Sequence, residues 1–176
     1  DQRHQRMGDS RYVVEPNIKD GKGGLRDLHT LFWIAKYLYQ TNSVADLVKE
    51  GVFTTEEYRR FQSAEAFLWT VRCHLHYLAG RPEDRLTFDV QRELADRMRY
   101  TDHAGTRGVE RFMKHYFLIA KDVGDLTRIF CAALEQQHKR KTKFGLVRFG
   151  LRKREMDGFL LDGNRLDVKD DKVFEK

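Results

Sequence analysis

The sequence predicts a mainly α fold: an irregular helical bundle with an extended segment leading in and a β-hairpin leading out. Three observations carry this. Apolar residues recur at alternating steps of three and four over three long stretches, the spacing that lays one stripe along a helix face. The residues before the first stretch are β-branched and contain Pro16, which permits an extended or edge segment but not a central strand. Near the end the period changes to two on either side of an Asp-Gly pair.

Taken in order, "RYVVEPNIK" at 11–19 is the extended segment, and "DGKGG" turns it into a helix. Leu25, Leu28, Leu31, Phe32 and Ala35 place that helix over 24–40. "TNSVADLVKEGVF" reads as a break followed by a short helix. Thr54 and Glu57 have capping-box spacing, the threonine accepting from the N3 amide and the glutamate reaching back. The helix they open carries Phe61, Ala64, Leu68, Val71, Leu75 and Leu78 over about 55–79, and "GRPEDRLTF" ends it. Asp89 is placed to cap a shorter helix with Val90, Leu94 and Met98, followed by a polar loop through Gly105. Val109, Phe112, Tyr116, Ile119, Val123, Leu126, Phe130 and Ala133 then mark a spine of roughly seven turns. In "GFLLDGNRLDV", Phe159 and Leu161 mirror Leu166 and Val168 across Asp162-Gly163 as a hairpin. The expected organisation is a lead-in and glycine loop at 1–23, a bundle at 24–138, and a basic linker with hairpin at 139–176.

The chain has 176 residues, 40% of them hydrophobic and 12% aromatic, enough for a real core. It contains no apolar run of the roughly eighteen residues a membrane helix needs and no secretory signal pattern. The abrupt start "DQRHQRMGDS" leads us to expect a segment of a longer chain. Cys73 and Cys131 are far apart in helical patterns, so neither a disulfide framework nor a zinc site is argued, and a reducing, cytoplasmic location is expected. Of the 33 lysines and arginines behind the net charge of +6, eight lie in "KRKTKFGLVRFGLRKR" at 139–154, which has no acid. The other 25 face 27 acidic residues, so the body is near neutral and the basicity is local. That run, interleaved with Phe144, Leu146 and Phe149, is either a nucleic-acid grip or an exposed linker. Its position between bundle and hairpin favours the linker.

The glycine loop is the main candidate site. "GKGGLRDL" fits neither GxxxxGK[ST] nor GxGxxG. Gly21, Gly23 and Gly24 nevertheless allow close backbone approach, a helix N-terminus offers N–H groups, and Lys19, Lys22 and Arg26 add positive charge, as an anion requires. Asp27, in the first helical turn, either satisfies those amides or holds a basic group. On the residues alone, a phosphate site and a plain strand-to-helix turn with solvated lysines both stand.

Other constellations are weaker. His74 and His76, two apart on a helix, point to nearly opposite faces and cannot chelate one ion. Arg72 and His76 share a face and, with Arg81, Asp84 and Arg85, line a polar cleft or a structural charge network, the latter preferred. Trp33 and Trp69 are expected in core or inter-domain packing. No HExxH or GxSxG run occurs.

Three stretches, "EPNIKDGKGGLRDLHTLFWIAKYLY", "RCHLHYLAGRPEDRLTFDVQRELA" and "DGFLLDGNRLDVKDDKVFE", resemble in the same order the bacterial PII uridylyltransferase/uridylyl-removing enzymes, from about Tyr12 to Phe174. A similar glycine-glycine-x-x-aspartate run occurs in the adenylyltransferases that modify glutamine synthetase. The resemblance implies a four-part parent: a polymerase-β-like nucleotidyltransferase domain, a helical domain, an HD phosphohydrolase domain and two glutamine-sensing ACT domains. This chain resembles the second part and the linker to the third. It further implies UTP and the PII protein as partners, glutamine as effector, and Mg²⁺ as cofactor of the parent. The family's Gly-Ser with paired aspartates and its His-Asp dyad are not in these 176 residues, so no catalytic or metal residue is assigned here and the segment alone is expected to be inactive. Asn17, Lys19, Lys22, Gly23, Gly24, Arg26 and Asp27 are the implied nucleotide-binding residues, lysines and amides facing the triphosphate and Asp27 fixing the loop.

Overall fold

The computed structural model describes Gln2, residues 13–143, and three short strands, Arg154–Met156, Phe159–Asp162 and Arg165–Val168. The chain divides into two compact units, Asp1–Gln136 and Gln137–Lys176.

In the first unit the chain is mainly helical. Helix α1 (Leu25–Tyr39) buries Leu25, Leu28, Leu31 and Ala35 and ends at Gln40, whose φ of 52° is left-handed. The short α2 (Asp46–Lys49) is anchored by its own first residue: the Thr41 and Ser43 hydroxyls both donate to Asp46 Oδ2, at 2.9 and 2.8 Å. The hydrogen bond from Lys49, joined by those from Ser43 and Thr41, holds the Asp46 carboxyl well below the usual carboxylate range. Helix α3 (Thr55–Ala79) opens with the expected capping box: Glu57 N–H donates to Thr54 Oγ1 at 3.2 Å and Thr54 N–H to Glu57 Oε2 at 2.7 Å. Such a cap contributes about 1 kcal/mol. The helix stops at Gly80, φ 62°.

Helix α4 (Phe88–Arg97) is capped at Thr87, not at the expected Asp89, which sits in the first turn. The reason is tertiary. Glu15, 73 residues earlier, accepts the Phe88 N–H at 3.0 Å, and Gln91, almost fully buried, donates to the carbonyls of Val14 and Leu86. Helix α5 (Gly108–Lys143) is the spine, and its backbone continues through Lys143, past the boundary expected at 138.

The core is the meeting of the stripes. Leu25, Leu28 and Leu31 of α1, Phe61, Leu68, Val71 and Leu75 of α3, Leu94 of α4, and Phe112, Tyr116, Val123, Leu126 and Phe130 of α5 are all buried in one cluster. Burial pushes the Tyr116 hydroxyl far above its ordinary range. The lead-in segment joins this unit by pairing with the α3–α4 connection: Asn17 bridges Arg85 antiparallel, Ile18 N–H donates to Asp84 O, and Leu86 N–H to Pro16 O. No helix among the described residues is long and apolar enough to cross a membrane.

In the second unit the described backbone is an antiparallel sheet of β1 (Arg154–Met156), β2 (Phe159–Asp162) and β3 (Arg165–Val168), in that order, with Phe159 opposite Val168 and Leu161 opposite Leu166. Gly163, at the expected turn, and residues 144–153 of the basic run lie outside the described residues.

Candidate functional site

The glycine loop folds tightly, and each glycine has an identifiable reason. A Cβ on Gly21 would meet Asn17 O at 2.4 Å, and one on Gly24 would meet Ile18 O at 2.5 Å. Gly23 has φ +81°, and a Cβ there would lie 2.3 Å from the Ala120 carbonyl oxygen of α5. The missing side chains therefore admit the loop's own backbone and the spine helix rather than a phosphate.

The amides follow the same logic and correct the expectation that they face an anion. Gly23 N–H donates to Asp27 Oδ2 at 2.8 Å, Gly24 N–H to Gly21 O, Leu25 N–H to Ile18 O, Arg26 N–H to Lys19 O and Asp27 N–H to Gly24 O. Every donor of the first helical turn is taken within the loop. Asn17 does similar work on its side, its Oδ1 accepting from the amides of Lys19 (3.0 Å) and Asp20 (2.6 Å). Asn17, Gly23, Gly24 and buried Asp27 thus build the loop.

What the loop presents outward is charge. Lys19 and Arg26 line a cleft of about 310 Å³ together with Leu25, His29, Thr30 and Trp33 of the same region and Arg72 of α3. Lys22, on the same loop, is half-buried and does not line this cleft. The Arg72 position is set by Asp84, from the α3–α4 connection: Arg72 Nε donates to Asp84 Oδ1 at 2.7 Å, His76 Nε2 lies 3.3 Å from the same oxygen, and Lys19 Nζ lies 3.9 Å from Oδ2. Burial pushes the Asp84 carboxyl up. The hydrogen bonds from Arg72 and His76, with the charges of Arg72 and Lys19, prevail and hold it below the usual aspartate range. Arg26 Nε meets Asp20 Oδ1 at 2.5 Å. Three permanent cations against two carboxylates leave the cleft with a positive excess, suited to an anion.

Of the polar residues grouped from the sequence, the structure brings Arg72, His76 and Asp84 together, while Arg81 pairs with Glu83 and Arg85 with Glu15. Neither tryptophan is in the core: Trp33 is 63% exposed and Trp69 39%. Trp69, behind the cleft, has its ring centroid 5.9 Å from that of His29, tilted by 39°, and lies 5.3 Å from the Arg72 guanidinium carbon. His29, Thr30, Trp33 and Arg72 are the cleft residues that lie outside the loop motif. The only sequence signal for Arg72 is its shared helix face with His76, and Trp33 has none. Among the described residues no three His, Cys, Asp or Glu gather to hold a metal ion. Asp27 and Asp84 are instead committed to the amide and the cations above, so the described carboxylates around this cleft do not fit a Mg²⁺ centre.

A family model described as GlnD PII-uridylyltransferase matches residues 1–131. The chain is 64% identical over 176 residues, 99% of its length, to a bifunctional uridylyltransferase/uridylyl-removing enzyme of Azospirillum brasilense, and 64% identical over 168 residues, 96% of its length, to that of Rhodospirillum rubrum. A Bradyrhizobium enzyme of the same description is 54% identical over 99% of the chain. These matches cover 19%, 18% and 20% of the relatives, so the chain spans about a fifth of their length. No solved structure matches.

Proposed function

The chain belongs to the PII-uridylyltransferase family, and from that premise we propose that it is the segment of a bifunctional uridylyltransferase/uridylyl-removing enzyme that helps seat UTP and the PII protein for uridylyl transfer in the cytoplasm. In that reaction a tyrosine hydroxyl oxygen of the acceptor bonds to the α-phosphorus of UTP as the bond to the departing pyrophosphate breaks. Removal of the hydroxyl proton and binding of Mg²⁺ fall to groups outside this segment, and glutamine acts as effector elsewhere in the parent.

One observation carries the reading. Lys19 from the loop, Arg26 from α1 and Arg72 from α3, three separate elements, converge on one cleft. Fixed cations of this kind stabilise a triphosphate without moving when it arrives. Within the loop the roles divide. Lys19 and Arg26 face phosphate oxygens, and Lys22 adds to the local field. Asn17, Gly23, Gly24 and Asp27 keep the loop in the one shape that aims them.

The test is steady-state kinetics of the whole enzyme with Lys19→Ala and Arg26→Ala. Each removes a charge-assisted contact worth about 1.5–3 kcal/mol, so KM for UTP rises roughly tenfold or more. Unchanged KM and kcat in both variants overturn the reading.

A further inference from the structure

Trp33 is a large apolar side chain left 63% exposed on a helix whose inner face is already buried in the core. Exposure of one aromatic residue is ordinary, so its surroundings decide what it meets. Three facts point to what it meets. It lines the same cleft as Lys19, Arg26 and Arg72. It lies seven residues after Arg26, two helical turns further along the same face of α1, or about 10 Å at 1.5 Å per residue. The Lys36 ammonium lies 5.6 Å from the centre of its ring, a cation–π contact that braces the indole. The cleft thus has a cationic end and an aromatic end, separated on the scale of a nucleoside triphosphate.

We propose that Trp33 is the platform on which the base of the bound nucleotide stacks, with its phosphates at Lys19, Arg26 and Arg72. The inference rests on the proposed function and adds where the base lies. Because every base offers a π face, Trp33 supplies affinity rather than the choice of uracil.

The test uses the whole enzyme and two probes, UTP as substrate and inorganic tripolyphosphate as a competing inhibitor that has phosphates and no base. Trp33→Ala is expected to raise KM for UTP about tenfold, the lower part of the range for one stacked base, with inhibition by tripolyphosphate unchanged. Trp33→Phe restores most of the affinity. Lys19→Ala weakens both probes. If Trp33→Ala leaves KM for UTP unchanged while Lys19→Ala raises it, the platform is wrong and the phosphate cleft stands. If Trp33→Ala weakens UTP and tripolyphosphate equally, Trp33 shapes the cleft and carries no base, which also overturns the inference. If Lys19→Ala and Arg26→Ala affect neither probe, the proposed function itself fails.

Discussion

Gly23 shows how one residue fixes the loop. Its φ of +81° disfavours any side chain, and its backbone lies against Ala120 so closely that a methyl group has no room. Left-handed backbone costs a non-glycine residue roughly 1–2 kcal/mol, and forcing a methyl into a packed contact typically adds 1–3 kcal/mol. Gly80 provides the comparison, with φ +62° and nothing within 4 Å of an added Cβ. Gly23→Ala should therefore destabilise the chain by about 2–5 kcal/mol, the sum of the two costs, against about 1–2 kcal/mol for Gly80→Ala, in denaturant unfolding of the two variants side by side. Equal losses would mean that backbone strain alone matters and the α5 contact does not. The loop was legible as glycine-rich and turning. Its target was not, because Ala120 is almost a hundred residues away and nothing in "GKGG" names it.

At the scale of elements, α1, α3 and α5 could be read from the sequence because each is one unbroken stripe of apolar residues at steps of three and four. Thr54 and Glu57 marked the start of α3 because a capping box is local. The start of α4 was misread for the opposite reason: its first amide is satisfied by Glu15, and a cap supplied from 73 residues away leaves no local pattern. The same non-locality governs Asp84, which ties the lead-in loop to α3 through Ile18, Lys19, Arg72 and His76. Since its folded pKa lies below the ordinary 3.8, its ionised form contributes stability that is fully present above that value and lost as pH falls through the folded pKa. Asp84→Asn imitates the protonated state. At neutral pH the variant should be less stable by about 1–2 kcal/mol, allowing for partial solvent screening of the pair. That difference should shrink as pH falls below 3.8. A gap that stays constant across the acid range, measured by denaturant unfolding at several pH values, would show that shape rather than charge is at work.

For the molecule as a whole, the sequence pointed to the loop's cations and amides together as anion donors, and only the cations are turned outward. The amides of α1 are consumed by Ile18, Lys19, Gly21, Gly24 and Asp27, and the charge that remains outward comes from side chains of three elements. Arg72 and Trp33 enter the cleft only because α1 and α3 pack together, which periodicity alone cannot register. The central claim is that this cleft holds the phosphates of UTP, and equilibrium binding tests it most directly. The dissociation constant of UTP is measured for the whole enzyme with and without the Lys19→Ala, Arg26→Ala pair, at fixed salt. We predict a weakening of at least roughly a hundredfold, the product of two tenfold losses at separate contacts. An unchanged dissociation constant, in a variant that unfolds at the same denaturant midpoint as the parent, would contradict it.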